Sequence, residues 1–440
     1  MRSDCNFVSK MRLTSARKLN GRISLPGDKS ISHRAALIAS LSSGSSEISN
    51  FSTAQDCAST LACLKQLGIS VELEKDGVFR FTGGEKLTAP QEPLDCGNSG
   101  STMRILAGVL AGQNFTAELV GDQSLSSRPM RRIIEPLELM GARIDSTDGK
   151  PPLKITGSDR LSPITYKLPV ASAQVKSAIL FASLFTHGRT TVIEKSPSRD
   201  HTERLFNGFG VPVITNDDLS ITIDGPARFS GGAITIPGDI SSAAYFIAAA
   251  MLLPKSELMI EAIGLNPTRA AFLSVFSSWG AQISTSDLRS EHNEPVGTIN
   301  VSGGLRFAAR EEDRILSGSL IPSLIDELPL LAVVGSQVPG GIQIRDAEEL
   351  RLKESDRLQA TANNLRSMGA EVEEFDDGLA VFGPMQLRGA SIDSYGDHRI
   401  AMAFSVAALI AEGETEIKNS ECVAISFPEF FELLDTLAER

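Results

Sequence analysis

Residues 25–41 read LPGDKSISHRAALIASL, and residues 236–252 read IPGDISSAAYFIAAAML. Each opens on a hydrophobic-Pro-Gly-Asp turn and runs into an Ala- and Leu-rich helical stretch. Pro26 and Pro237 lie 211 residues apart. That interval holds three steps of a finer period, roughly 70 residues, that covers the whole chain. A polar start ahead of an apolar helix recurs at Ser30, Ser101, Ser172, Ser241, Asp326 and Asp397, in steps of 71, 71, 69, 85 and 71. A helix ending in hydrophobic-Gly-hydrophobic recurs at Gly68, Gly141, Gly210, Gly280 and Gly369, in steps of 73, 69, 70 and 89. Two independent landmarks share one period. A repeat this long is a whole supersecondary unit, an αβ layer, rather than a solenoid turn.

Six such units in 440 residues exceed one hydrophobic core, and three units in each of two domains is the natural division. With Pro-Gly turns as the crossing points, the sequence predicts one domain over 27–236. A second combines 1–26 with 237–440, because the strand before Pro26 needs a sheet to join. Each unit reads as an Ala/Leu helix, a β-branched strand such as TTVIEK, a second helix ending at the glycine, and a short strand pair. Glycine there suits a helix C-cap with positive φ. The longer fifth step predicts an inserted loop around SDLRSEHNEPVG, residues 286–297.

Composition narrows the partners. The net charge of −12 disfavours sequence-independent binding to nucleic acid or an anionic membrane, both of which need surplus Lys and Arg. The five cysteines, Cys5, Cys57, Cys63, Cys96 and Cys422, form no CxxC pair, so reduced thiols in a cytoplasmic compartment fit best. The first residues, MRSDCNFVSKMRLTSARKLNG, hold no apolar stretch long enough for a signal peptide, and no apolar run reaches transmembrane length. A soluble protein is expected.

Polar groups at helix starts are usually caps, and Ser30, Ser101, Ser172 and Asp326 could each be only that. Cations at the same starts oppose the helix dipole and need another reason. Lys29 and Arg34 flank the first helix, and Arg104 lies in the second. Arg128, Arg131 and Arg132 open another, Arg199 opens the next, and Lys353, Arg357, His398 and Arg399 follow. An anion held between these cations and the exposed backbone N–H groups supplies that reason. Several such sites would bind a polyanionic small molecule. The chain carries neither nucleotide fingerprint: GDKS lacks the glycine directly before lysine that a P-loop requires, and no GxGxxG opens a helix after a strand. Two carboxylates stand within the basic background, Asp326 in LIDELPLL and Glu354 in RLKESDRL. A carboxylate among cations has its acid form disfavoured, so Asp326 suits a base, whereas Glu354 needs a compensating environment to act as an acid. Each could instead serve only in capping or ion pairing.

LPGDKSISHRA, CGNSGSTMR, SSRPMRR, PVASAQVKSA, SRDHTER, LRLKESDR, YGDHRIAMA and SFPEF, in that order, together resemble the 5-enolpyruvylshikimate-3-phosphate synthase family, in its class II branch. The resemblance runs from about residue 19 to the end. It implies an α/β (α+β) fold, a two-domain inverse α/β barrel-like arrangement of six βαβαββ repeats, three per domain, with helix N-termini facing an interdomain active-site cleft. It further implies transfer of the enolpyruvyl group of phosphoenolpyruvate to the 5-hydroxyl of shikimate 3-phosphate, with release of phosphate and no metal, nucleotide or organic cofactor. Its motifs place shikimate 3-phosphate on Lys29, Ser30, Arg34, Ser172, Gln174, Arg199, Asp326 and Lys353. They place phosphoenolpyruvate on Lys29, Gly100, Arg128, Gln174, Arg357 and Arg399, where a Cβ at Gly100 would intrude on the anion. Asp326 is the implied base, with Glu354 or Lys29 as the acid. Ala173 stands where another branch has a second serine, and Arg199 is the candidate replacement. A monomer is the default expectation.

Two other functions fit parts of the pattern less well. UDP-N-acetylglucosamine enolpyruvyl transferases share the fold and the donor but commonly carry a reactive cysteine before the equivalent of Arg128, where this chain reads GDQSLSSR. Cys96 is better explained as a small buried residue. A non-catalytic anion-binding repeat protein is opposed by the acidic total charge and by the two carboxylates among the cations.

Overall fold

The computed structural model describes residues 10–83, 87–306 and 308–440. Cys5 and the rest of the first nine residues lie outside the described residues. The chain divides into two compact units, one of Pro26–Asp239 with Arg289–Val296, the other of the segment through Leu25, Ile240–Leu288 and Gly297–Arg440.

The first unit repeats one sheet three times. Gly44–Ser49 pairs in parallel with Ala233–Thr235 and antiparallel with Phe79–Gly83, which carries Ser70–Leu73 on its far side. Thr116–Val120 stands in the same way between Leu94–Asp95 and Lys150–Thr156, and Gly188–Ile193 between Thr165–Lys167 and Ser220–Gly225. Along Lys150–Thr156 alternate residues are buried, so each sheet offers one apolar face. The faces close on three helices, Lys29–Leu41, Gly100–Ala111 and Ala173–Ser183, whose residues are mostly buried. A helix apolar on nearly every side belongs inside a core, which explains the Ala/Leu composition.

The second unit has its own core around Ile240–Leu252, Leu328–Gly335 and His398–Ile410. Ile342–Ile344 sits in a sheet of the same pattern. The other two sheets are completed by the N-terminal segment: Lys18–Ser24 runs parallel to Glu257–Gly264, and Lys10–Thr14 antiparallel to Glu414–Lys418.

All five landmark glycines have positive φ, from 79° at Gly210 to 111° at Gly141, as the left-handed residue ending a helix requires. Two expectations need correction. The stretch 286–297 is not a loop but the tip of a hairpin, Gln282–Glu291 and Glu294–Ser302, turned by His292 and Asn293 at φ 48° and 65°. Two consecutive left-handed residues match the right-handed twist of the strands. Nor are Ser30 and Ser101 caps. Asp28 accepts the Ile31 N–H and Ser99 the Thr102 N–H, so both serines lie inside the helices. The residue at the capping position of Leu328–Gly335 is Glu327, one after Asp326.

Candidate active site

In the first unit the predicted residues fall into linked groups at the starts of the three inner helices. Lys29 is the first residue of its helix, where its backbone N–H donates to Asp239 Oδ2 at 3.0 Å and its ammonium pairs with Asp56 Oδ2 at 2.8 Å. Arg34, buried one turn on, donates to Thr202 Oγ1 at 2.7 Å, Ser177 Oγ at 2.8 Å and the Ser30 carbonyl at 2.9 Å. That guanidinium therefore ties the first repeat to the third. Ser172 caps Ala173–Ser183 by accepting the Val175 N–H, and a hydroxyl that accepts can still donate. Gln174, in the first turn, accepts from Arg104 Nη1 at 2.7 Å and donates to Ser101 Oγ at 2.9 Å. Arg128 donates to Asn98 Oδ1 at 2.8 Å and Ser124 Oγ at 3.1 Å. Gly100 lies against both guanidiniums: a Cβ there would stand 2.6 Å from Arg104 Nη1 and 3.4 Å from Arg128 Nη1. The glycine leaves room for the cations as well as for an anion. Arg199 is half-buried in the segment leading into His201–Gly208.

His33, between Lys29 and Arg34 in sequence, is fully buried, with Nδ1 2.7 Å from Thr60 Oγ1. Burial and the two cations push its pKa well below the usual histidine value. It is a neutral spacer in a basic neighbourhood.

In the second unit Asp326 lies between two guanidiniums, its Oδ1 3.3 Å from Arg357 Nη1 and its Oδ2 3.3 Å from Arg399 Nη2. Arg357 also donates to Glu354 Oε2 at 2.6 Å and to Asp397 Oδ2 at 2.8 Å. Burial by itself would lower the Arg357 pKa, but Asp397 and Glu354 outweigh it and raise the value. Asp397 is structural: it caps His398–Ile410 through the Arg399 N–H and anchors Arg357. Lys353 is pushed below the usual lysine range by burial, against the pull of Asp326. Asp326, Glu354, Arg357 and Arg399 thus form one connected network of ion pairs.

Three participants carry no assigned role from sequence. Arg104 was visible as a cation, but only the fold brings it to Gln174 and Gly100. Asp56 is remote in sequence from Lys29. Glu327 follows Asp326 and is buried, donating nothing and accepting from Ser241 Oγ at 2.5 Å and Arg399 Nη1 at 3.5 Å. The adjacent acidic pair in LIDELPLL was its only sequence signal.

The enolpyruvyl transferase NikO from Streptomyces tendae aligns with 98% of each chain at a TM-score of 0.77 and 19% identity, which gives the class of fold as that of the enolpyruvyl transferases. EPSP synthase from Acinetobacter baumannii aligns more closely, with a TM-score of 0.84 and 38% identity over 98% of each chain. The family model for EPSP synthase (3-phosphoshikimate 1-carboxyvinyltransferase) matches residues 13–434. The 3-phosphoshikimate 1-carboxyvinyltransferases of Koribacter versatilis (50% identity, 98% of this chain and 100% of the relative) and Solibacter usitatus (47%, 97% and 99%) match nearly end to end. The chain belongs to the EPSP synthase family.

Proposed function

We propose that this chain transfers the enolpyruvyl group of phosphoenolpyruvate to the 5-hydroxyl of shikimate 3-phosphate and releases phosphate, with Asp326 as the base. The observation that carries the reading is the pairing of Asp326 with Arg357 and Arg399. These are a carboxylate able to take a hydroxyl proton and two guanidiniums suited to a phosphate or carboxylate of the donor. In the first unit, Lys29, Ser30, Arg34, Ser172, Gln174 and Arg199 hold shikimate 3-phosphate, which Lys353 also contacts. Lys29, Gly100, Arg128 and Gln174 contact phosphoenolpyruvate together with Arg357 and Arg399.

The chemistry is an addition followed by an elimination. Asp326 accepts the 5-hydroxyl proton as that oxygen bonds to C2 of phosphoenolpyruvate, while Glu354 or Lys29 protonates C3. The tetrahedral product then loses phosphate by cleavage of its C2–O bond, and a proton leaving the new methyl group restores the double bond. Cations fixed before the reaction stabilise the departing phosphate without reorganising.

Among the described residues no single helix is long and apolar enough to cross a membrane. The described cysteines are buried and free, which supports the reading of a cytoplasmic enzyme. The rival acceptor, UDP-N-acetylglucosamine, is disfavoured because GDQSLSSR, ending at Arg128, holds no cysteine and Cys96 is a poor substitute. That thiol is fully buried, and its hydrogen bond with Cys63 together with burial raises its pKa well above the usual range, so it is no nucleophile. Replacing Asp326→Ala tests the assignment. Turnover should fall by about 10²- to 10⁴-fold, the usual contribution of a general base, while the protein stays folded. Near-normal turnover would remove Asp326 from the chemistry.

A further inference from the structure

The fourth repeat brings two polar residues with no role in the scheme above, Ser241 at the start of Ile240–Leu252 and Arg269 ahead of Ala271–Ser278. Both are almost wholly buried, and they meet: Arg269 Nη2 donates to Ser241 Oγ at 2.6 Å. Ser241 in turn donates to Glu327 Oε1. Arg269 is itself fixed in a tight turn, its backbone N–H bonded to the Asn266 carbonyl at 2.8 Å.

Glu327 is 2% exposed and stands at the position just before Leu328–Gly335, where a side-chain oxygen can accept a free N–H of the helix it precedes. It makes no such bond. Its carboxylate turns instead to Ser241 and to Arg399, whose Nη1 lies 3.5 Å from Glu327 Oε1 and 3.1 Å from the backbone carbonyl of Asp326. The other nitrogen of that guanidinium reaches the Asp326 carboxylate. Burial raises the Glu327 pKa, and Asp326 adds to that, while Arg399, Arg269 and Ser241 oppose it. A buried carboxylate is costly and adds little net stability over an apolar replacement, so its service is better sought in what it orients.

We propose that Glu327, anchored by Ser241 and Arg269, is a positioning residue that fixes the Arg399 guanidinium for phosphoenolpyruvate. The fourth repeat thereby gains a role in the site. It supplies no substrate contact but sets the geometry of a group that does. This inference rests on the assignment of Arg399 to the donor. With both terminal nitrogens of Arg399 directed at the Asp326–Glu327 pair, loss of the Glu327 charge frees the guanidinium to adopt other rotamers. Donor binding then weakens, and acceptor binding does not.

Steady-state kinetics of Glu327→Gln, with wild type in parallel, tests this. The KM for phosphoenolpyruvate should rise about tenfold while that for shikimate 3-phosphate stays within about twofold and the thermal midpoint is little changed. Arg269→Met should act in the same direction, and the double variant should add little, because the two residues work through one chain of contacts. Ser241→Ala, which removes only the bridging hydroxyl, covers the case in which Glu327→Gln does not fold. An active wild type whose variants keep the donor KM, or lose both KM values together with the thermal midpoint, overturns the proposal. An inactive wild type would instead reject the functional reading beneath it. A crystal structure of Glu327→Gln then decides the positioning role without turnover: Arg399 displaced from Asp326 supports it, and Arg399 unmoved overturns it.

Discussion

Gly100 illustrates how far single residues could be read. Its lack of a Cβ was legible in NSGSTMR as room for an anion, but the nearer neighbour is the Arg104 guanidinium, at 2.6 Å from where a Cβ would stand. In Gly100→Ala that flexible end must move, and Gln174 loses or shifts its partner. The KM for phosphoenolpyruvate should rise roughly tenfold, the equivalent of one charge-assisted hydrogen bond, in steady-state assays. An unchanged donor KM would contradict the arrangement. His33 supports a second prediction. Its pKa in the folded protein is depressed, so below about pH 6.5 the unfolded chain binds a proton that the folded chain refuses. Its contribution to stability is therefore complete above that pH and is lost as pH falls. The thermal midpoint of His33→Gln should accordingly drop less between pH 7 and pH 5 than that of wild type, and equal drops would contradict the neutral buried imidazole. The cations and the Asp326 carboxylate were legible because charge at an apolar helix start is anomalous. Asp56 and Glu327 were not, since a partner remote in sequence or a second acid beside a first carries no distinguishing pattern.

At the level of elements, the glycines that end helices separate two costs that sequence merges. Gly369 has φ 89° and open space where a Cβ would go, so Gly369→Ala should cost only the left-handed backbone penalty, about 1–2 kcal/mol. Gly280 has φ 100°, and a Cβ would fall 1.8 Å from the Arg306 carbonyl oxygen. Backbone cannot swing aside as a side chain can, so Gly280→Ala should lower the thermal midpoint distinctly more than Gly369→Ala. Equal losses would show that the close packing behind Gly280 relaxes. Helices and their ends were readable because period, cap and glycine agree locally. Cap identity failed at Ser30 and Ser101 because Asp28 and Ser99, two residues earlier, win the same N–H groups. The hairpin at 282–302 was missed because its first strand, Gln282–Glu291, is polar and mostly exposed, and its second, Glu294–Ser302, is buried or half-buried throughout, so neither shows the alternation that marks a strand with one face in the core.

For the whole molecule, the six-fold period gave the count of repeats, and the three matching sheets of the first unit show what one repeat builds. Both units are harder to read where their sheets recruit strands from far away: Ile48 pairs with Ile234 in the first, and Lys10 with Lys418 and Asn20 with Glu257 in the second. No local pattern announces such pairings. The repeats share a scaffold and differ in the side chains at their helix starts, and those differences separate a carboxylate paired with two guanidiniums from a set of hydroxyls, amides and cations. The most direct test is the release of phosphate from phosphoenolpyruvate by the purified protein, with shikimate 3-phosphate or UDP-N-acetylglucosamine as acceptor. Release should depend on shikimate 3-phosphate and not be supported by the nucleotide sugar; a folded protein that is silent with shikimate 3-phosphate, or that turns over only with UDP-N-acetylglucosamine, would contradict the assigned activity.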